Sequence, residues 1–336
     1  MKNILLNLLL LTHIGFCSTT SGASDFYVDK LTQPIKTVST NIDKGKPRNV
    51  THTEVGITTQ SVGVNKRGIN TVPVGSFDFE MARRQIKNSR SFFFFGENEA
   101  VGGSYEDIWP TGGDIPWQTA ADFIHVNSSN VNDISTGSGG RSIEIHGLGF
   151  DGKDQDEIIQ LRGADFAIST LSYCRLNKAH LEDVGTYGGA HQGDLTLRYG
   201  SSTGAIASLM TGGEGSVNGS VQYGFGEALN GFYSVPLGKI LYITRIEVTP
   251  DVSTNKTVDI VLYEREGLLT TGSAPFLPRR VLWHTEGIDS HLVKVFKSHI
   301  KIKPLTDIWF RATGSASSKV EVYVDFYLVD TNPDGQ

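Results

Sequence analysis

The amino-acid sequence predicts an all-β protein: two antiparallel β-sandwich or jelly-roll-like domains preceded by an extended N-terminal arm. Three observations predict it. Apolar and polar residues alternate in several long segments, glycines cluster in turn-sized pairs, and no window of useful length carries the 3.6-residue period of an amphipathic helix. The 38 glycines in 336 residues exceed the usual share of about 7% and follow no G-X-Y period. They fall in pairs such as Gly102-Gly103, Gly139-Gly140, Gly188-Gly189 and Gly212-Gly213, which punctuate a chain of tight turns.

The clearest alternation lies near the C-terminus. From Lys319 to Leu328 every even residue is apolar and the odd ones are Lys, Glu, Tyr, Asp and Tyr, the pattern of a strand with one face on a core. Thr257 to Arg265 repeats it, and Lys239 to Val248 is a long strand entered through the Pro236-Leu237-Gly238 turn. Leu292 to Ile302 and Asp307 to Ala312 complete a set that a sandwich or jelly roll accommodates over residues 220–332.

Earlier in the chain, Phe123 to Val126, Arg141 to Gly147 and Glu157 to Leu161 alternate in the same way, giving a first sandwich domain over 77–211. The Gly/Ser-rich stretch from Thr211 to Gly219 separates the halves. The run Phe92-Phe93-Phe94-Phe95 cannot lie on one face of a strand, because successive side chains alternate. Its strand is either buried on both faces or offers half the run to a partner subunit.

Residues 1–23 carry Lys2, the apolar run Ile4 to Leu11 and a small-residue exit from Ser18 to Ala23. This is the pattern of a secretory signal peptide or hydrophobic leader, too short for a stable membrane span. Residues 24–76 are rich in Thr, Val, Asn and Gly, with short β-prone pieces at Thr37 to Thr40 and Gly56 to Val64. Such a segment lacks the apolar surface to offset its ordering entropy and is expected to order on contact, as an arm.

Charge and motifs exclude more than they assign. A net charge of −6 with no long Lys/Arg block leaves no footprint for nucleic acid. Two cysteines, Cys17 and Cys174, make no disulfide scaffold, and Cys174 reads as a small buried hydrophobe. Gly200-Ser201-Ser202-Thr203-Gly204 satisfies G-x-S-x-G, but an apolar strand-like piece follows it where a nucleophile elbow needs a helix. It reads as a hairpin loop. Asp151, Asp154, Asp156 and Glu157 crowd one short stretch without the EF-hand spacing, and read as a solvated hairpin turn.

His284, His291 and His299 are too far apart to form a local ligand pair, and nothing sets Asp289 or Asp307 above other acids as a glycosidase carboxylate. No catalytic residue, cofactor or metal ligand is therefore assigned. Trp109, Trp117, Trp283 and Trp309 are candidates for an exposed carbohydrate-binding platform, with core anchoring as the competing role.

The order of several pieces carries more than any one of them. Phe79-Glu-Met-Ala82-Arg83, Phe95-Gly96, Val101 to Trp109, Thr136 to Arg141, Ile145 to Leu148, Tyr233 to Lys239 and Asp307 to Phe310 together resemble virion structural proteins encoded by many tailed bacteriophages. The resemblance runs from about Phe77 to Asp330 and leaves the leader and the arm outside it. It implies a non-enzymatic virion component, in capsid decoration, a head fibre or a tail-associated position. Its partners would be further copies of the chain and other virion proteins. A secreted or virion-borne adhesin touching host-surface glycan is the alternative, with an extracellular location if the leader is a signal peptide. A polysaccharide hydrolase comes third.

Overall fold

Alternation decides which segments pair and which face each one buries. The computed structural model describes residues 49–51, 61–65, 68–69, 86, 88–213, 216–217, 220–221, 224–253, 256–267, 278–315 and 317–331. The leader lies outside the described residues, and so do Cys17 and the Thr37 to Thr40 piece. The chain divides into two units, Met1–Phe77 and Asp78–Gln336. In the first, β1 (Asn49–Thr51), β2 (Ser61–Asn65) and β3 (Gly68–Ile69) pair with one another as an antiparallel sheet in that order.

The second unit is all-β among the described residues. Its strands are β4 (Ser89–Val101), β5 (Glu106–Asp107), β6 (Asp122–Ser128), β7 (Gly140–Leu148), β8 (Asp154–Gln160), β9 (Ala167–Tyr173), β10 (Arg175–Val184), β11 (Leu195–Tyr199) and β12 (Ile206–Met210). A two-residue pair, β13 (Ser216–Val217) and β14 (Ser220–Val221), follows. Then come β15 (Phe232–Ser234), β16 (Lys239–Asp251), β17 (Val258–Glu266), β18 (Arg280–Ile288), β19 (Leu292–Ile302), β20 (Thr306–Gly314) and β21 (Ser318–Asp330). Among the described residues no helix is long and apolar enough to cross a membrane.

Two sandwiches share this unit. In the first, the sheet β12-β11-β6-β9 faces the sheet β10-β7-β8, and Ile124, Val126, Leu195 and Leu197 meet Ile143, Ile145, Ile159 and Leu176 in the core. In the second, β19-β16-β21-β4 faces β15-β20-β17-β18. There Ile243, Ile246, Val322, Val324 and Phe326 pack on Ile260, Leu262, Ile308 and Phe310. On β21 the even residues from Val320 to Leu328 are buried and the odd ones half-buried, as the alternation requires.

The expected boundary needs correcting at its N-terminal side. β4 lies within 77–211, yet it pairs with β21 from Ser89↔Val329 to Val101↔Ser318, and β5 pairs with β20. Among its described strands this second unit starts in the second sandwich, builds the first as an insertion, and returns through β15. Periodicity shows that β4 is a strand; it contains nothing about which sheet that strand closes. A close backbone approach fixes the junction. A Cβ on Gly96 of β4 would stand 2.2 Å from Gly231 Cα, so Phe95-Gly96 requires glycine. The Phe run is neither wholly buried nor cleanly alternating: Phe94 is 7% exposed, whereas Phe92, on the same face, and Phe93, on the other, are 39% and 50% exposed.

Candidate functional site

The described residues bring together a buried ionic node, open sheet edges and one compact group of metal-ligating side chains. The node joins the two sandwiches. Arg175 opens β10, which Leu176 and Ala179 fix in the first core. Its Nε donates to Asp307 Oδ1 at 2.9 Å and its Nη2 to Asp307 Oδ2 at 3.0 Å. Asp307 lies on β20 and also accepts from Arg265 Nη2 of β17 at 2.8 Å and Ser234 Oγ of β15 at 2.6 Å. Asn177 of β10 closes the ring, exchanging hydrogen bonds with the Ser234 backbone at 2.9 and 2.8 Å.

Asp307 is fully buried and Arg175 nearly so. Burial alone would raise the Asp307 pKa, but the Arg175 and Arg265 guanidiniums outweigh it and hold the carboxyl below its ordinary value. A carboxylate committed to two arginines and a serine cannot act as an acid or base in sugar cleavage. Trp117 supplies the node's floor: Arg175 and Arg265 stand 5.1 and 4.8 Å from its ring centroid, within cation–π range.

The four tryptophans do not make a platform. Trp109, Trp117 and Trp309 gather in one cluster with Ile115 and Phe232, but Trp109 and Trp309 are 3% and 4% exposed. Trp117 meets Phe232 and Trp309 edge to face at 5.5 Å, and Trp109 Nε1 donates to Gly112 O at 2.8 Å. Trp283 lies apart on β18, half-buried against the second core. The cavity beside Trp117, lined also by Arg175, Tyr199 and Phe232, holds about 10 Å³, at most one water. Burial by the junction overrides the expected exposure.

The rejected motifs are where the residues placed them. Gly200 to Gly204 turns β11 into β12, and Asp151 lies in the turn from β7 to β8. Cys174 is buried, its thiol pushed up to about 11 chiefly by desolvation. His284, His291 and His299 stay separate, the first near Glu286, the second on Thr249 and the third against Tyr327.

Two carboxyls near β4 have raised pKa values. Burial lifts Glu97 to about 7, against the opposing pull of Lys319, and Asp107 to about 6. Lys319 holds Glu97, Glu99 and Glu321 at 2.9, 3.0 and 3.3 Å, so Glu97 belongs to an ion network tying β4 to β21.

Sequence reasoning passed over another group. Glu144, His146 and His180 have ligand atoms all within 4.8 Å of one another, the one such trio among the described residues. Glu144-x-His146 on an alternating strand signals a shared face; His180 joins them only through the β7–β10 register.

The edges are the remaining feature. Among the described residues β18 pairs only with β17, and β19 only with β16. These consecutive strands are joined by residues 289–291, so the two facing sheets end side by side. Val281, Val293 and Val295 on them are 57%, 44% and 64% exposed. At the opposite end, β4 pairs with β21, and beyond it Glu97 N reaches Leu229 O at 3.1 Å.

No family model matches the chain, and no curated protein matches it. Among solved structures it is similar to a chain from infectious bursal disease virus strain Gx, with 9% identity over 77% of this chain and 78% of that one and a TM-score of 0.24. A chain from the infectious bursal disease virus VP2 subviral particle gives 12% identity over 73% and 77%, with a TM-score of 0.16. At these scores the likeness carries no argument about what this chain does.

Proposed function

We propose that the protein is a non-enzymatic structural component of virus particles, placed as capsid decoration, a head fibre or a tail-associated part, that works as an oligomer. The observation that carries this reading is the pair of open edges, β18 and β19, with Val281, Val293 and Val295 exposed on them. An unpaired edge with exposed β-branched residues is a template for another chain. Lys294, Lys297 and Lys301 on β19 oppose pairing with a like edge, so they select an acidic or oppositely patterned one. The resemblance of residues 77–330 to tailed-phage virion proteins supports the same reading. Carbohydrate recognition by the four tryptophans has no part in it, because two of them are buried.

The test is self-association. Sedimentation equilibrium of the full chain should show concentration-dependent oligomers, and Val293→Lys with Val295→Lys should shift the chain toward monomer with an unchanged melting temperature. A monomer at every concentration, or a double variant that associates like the parent, overturns the edge assignment. Mass spectrometry of purified particles tests the location: many copies relative to the shell protein fit decoration, few fit a fibre or tail, and absence refutes the virion reading.

A further inference from the structure

We propose that Glu144, His146 and His180 bind one divalent first-row transition-metal ion of the zinc class on the outer face of the first sandwich. The case begins with strand geometry. Glu144 and His146 are two residues apart on β7 and so project to one side. On β10, His180 stands directly across from Glu144, and Lys178 across from His146. Three ligands from two strands are thus fixed by backbone pairing rather than by a loop.

The distances suit an ion. His146 Nε2 lies 3.4 Å from Glu144 Oε1, and His180 Nε2 lies 3.1 Å from Glu144 Oε2. Metal–ligand bonds of about 2.0–2.1 Å in tetrahedral geometry set neighbouring ligand atoms about 3.3 Å apart. The two imidazoles are stacked, centroids 5.5 Å apart and planes 6° from parallel. Both therefore aim Nε2 at one carboxylate. The His146, His180 and Glu144 side chains are 34%, 27% and 23% exposed, so water reaches the remaining coordination positions.

Without an ion, the Nε2 tautomer of either ring would face its proton toward the Glu144 carboxylate. Binding a metal requires each ring to carry its proton on Nδ1 instead. Nδ1 of His180 is buried without a hydrogen-bond partner, so neither a donor nor an acceptor at that atom fixes the ring's tautomer.

The surroundings favour a dication. Asp156 of β8 stands across from His146. Lys178, two residues before His180, is already engaged by Glu227 at 3.0 Å. Donor chemistry then selects among cations: two imidazoles and one carboxylate suit zinc, nickel, cobalt or copper, whereas calcium and magnesium prefer all-oxygen sets. A bound ion would bridge β7 and β10 in the regular stretch of their ladder, which register shifts flank at Leu176/Lys178 and at Leu181/Asp183.

The experiment is calorimetric titration of the chelator-stripped full chain with Zn2+, with Ca2+ and Mg2+ as contrasts. One equivalent of Zn2+ should bind, with no matching heat for Ca2+ or Mg2+. His146→Ala with His180→Ala should weaken binding by at least about 100-fold and Glu144→Gln by about 10-fold. His284→Ala with His299→Ala, in the other sandwich, should leave it intact. Co2+ loading supplies a readout that needs no folded variant: the parent chain should show ligand-field absorption of nitrogen coordination. Zn2+ binding that survives loss of both histidines, or a Co2+ spectrum of the hydrated ion alone, overturns the proposal.

Discussion

The two sandwiches reach the same architecture by different means. In the second, strands such as β16, β17, β20 and β21 run nine to thirteen residues, β21 alternates cleanly, and one continuous apolar cluster fills the space between the sheets. In the first, β11 and β12 are five residues each, and buried polar groups complete what short ladders leave open. Asp133 is the centre of that arrangement. Fully buried, it accepts from Ser128 Oγ at 2.6 Å and from the backbone N–H groups of Gly140, Gln192 and Gly193, each at 2.8 Å. One carboxylate thereby ties the loop after β6, the start of β7 and the approach to β11. Apolar burial is non-directional and tolerant of shape, whereas a four-donor carboxylate is directional and is not.

The junction between the sandwiches gives the largest expected effect. Arg175→Ala removes one partner of a buried ion pair and leaves Asp307 with Arg265 and Ser234 alone. It should cost about 3–5 kcal/mol in urea unfolding. A loss under about 1 kcal/mol would mean that apolar contacts, not the node, couple the halves.

Conservative substitutions sharpen the contrast within each half. Asp133→Asn preserves shape but turns one acceptor into a donor that faces Ser128 or the backbone N–H groups, and should cost about 2–4 kcal/mol. Ile246→Val removes one methylene from the second core and should cost about 0.5–1.5 kcal/mol. Equal costs, measured by the same unfolding experiment, would erase the distinction between a polar-tied and an apolar-filled sandwich.

The same contrast explains what could be read in advance. β19 was legible residue for residue as Leu292–Ile302, and β21 and β17 nearly so, because alternation is written locally. β18 was missed: Val281, Leu282 and Trp283 are consecutive apolar residues and mask any period of two. Asp307 could not be told from Asp289, since one meets Arg175, which is 132 positions away, and the other lies exposed in a turn. The tryptophans were visible as aromatic anchors, but whether an indole faces solvent or a neighbouring sandwich depends on the junction. His180 belongs with Glu144 only once the register of β7 and β10 is known. Long-range pairing decides all of these, and no local pattern encodes it.

The pH-dependent effect concerns the outermost strand of the second sandwich, where Glu97 is buried beside Asn98. Burial raises the Glu97 pKa to about 7, above the ordinary value of about 4.3 for the unfolded chain. Between those values the folded protein keeps a proton that the unfolded chain has lost. The stability this group contributes is therefore fully present below about pH 4.3 and is lost as pH rises through 7. Glu97→Gln cannot titrate, and it leaves Lys319 paired with Glu99 and Glu321. The stability of the parent minus that of Glu97→Gln should fall by about 2–3 kcal/mol from pH 5 to pH 8. Asp107, raised to about 6, titrates in both proteins and cancels in the difference. A difference that stays flat, or rises with pH, would show that Lys319 keeps Glu97 ionised throughout. The β4 edge would then be held by a permanent ion network like the one at the junction.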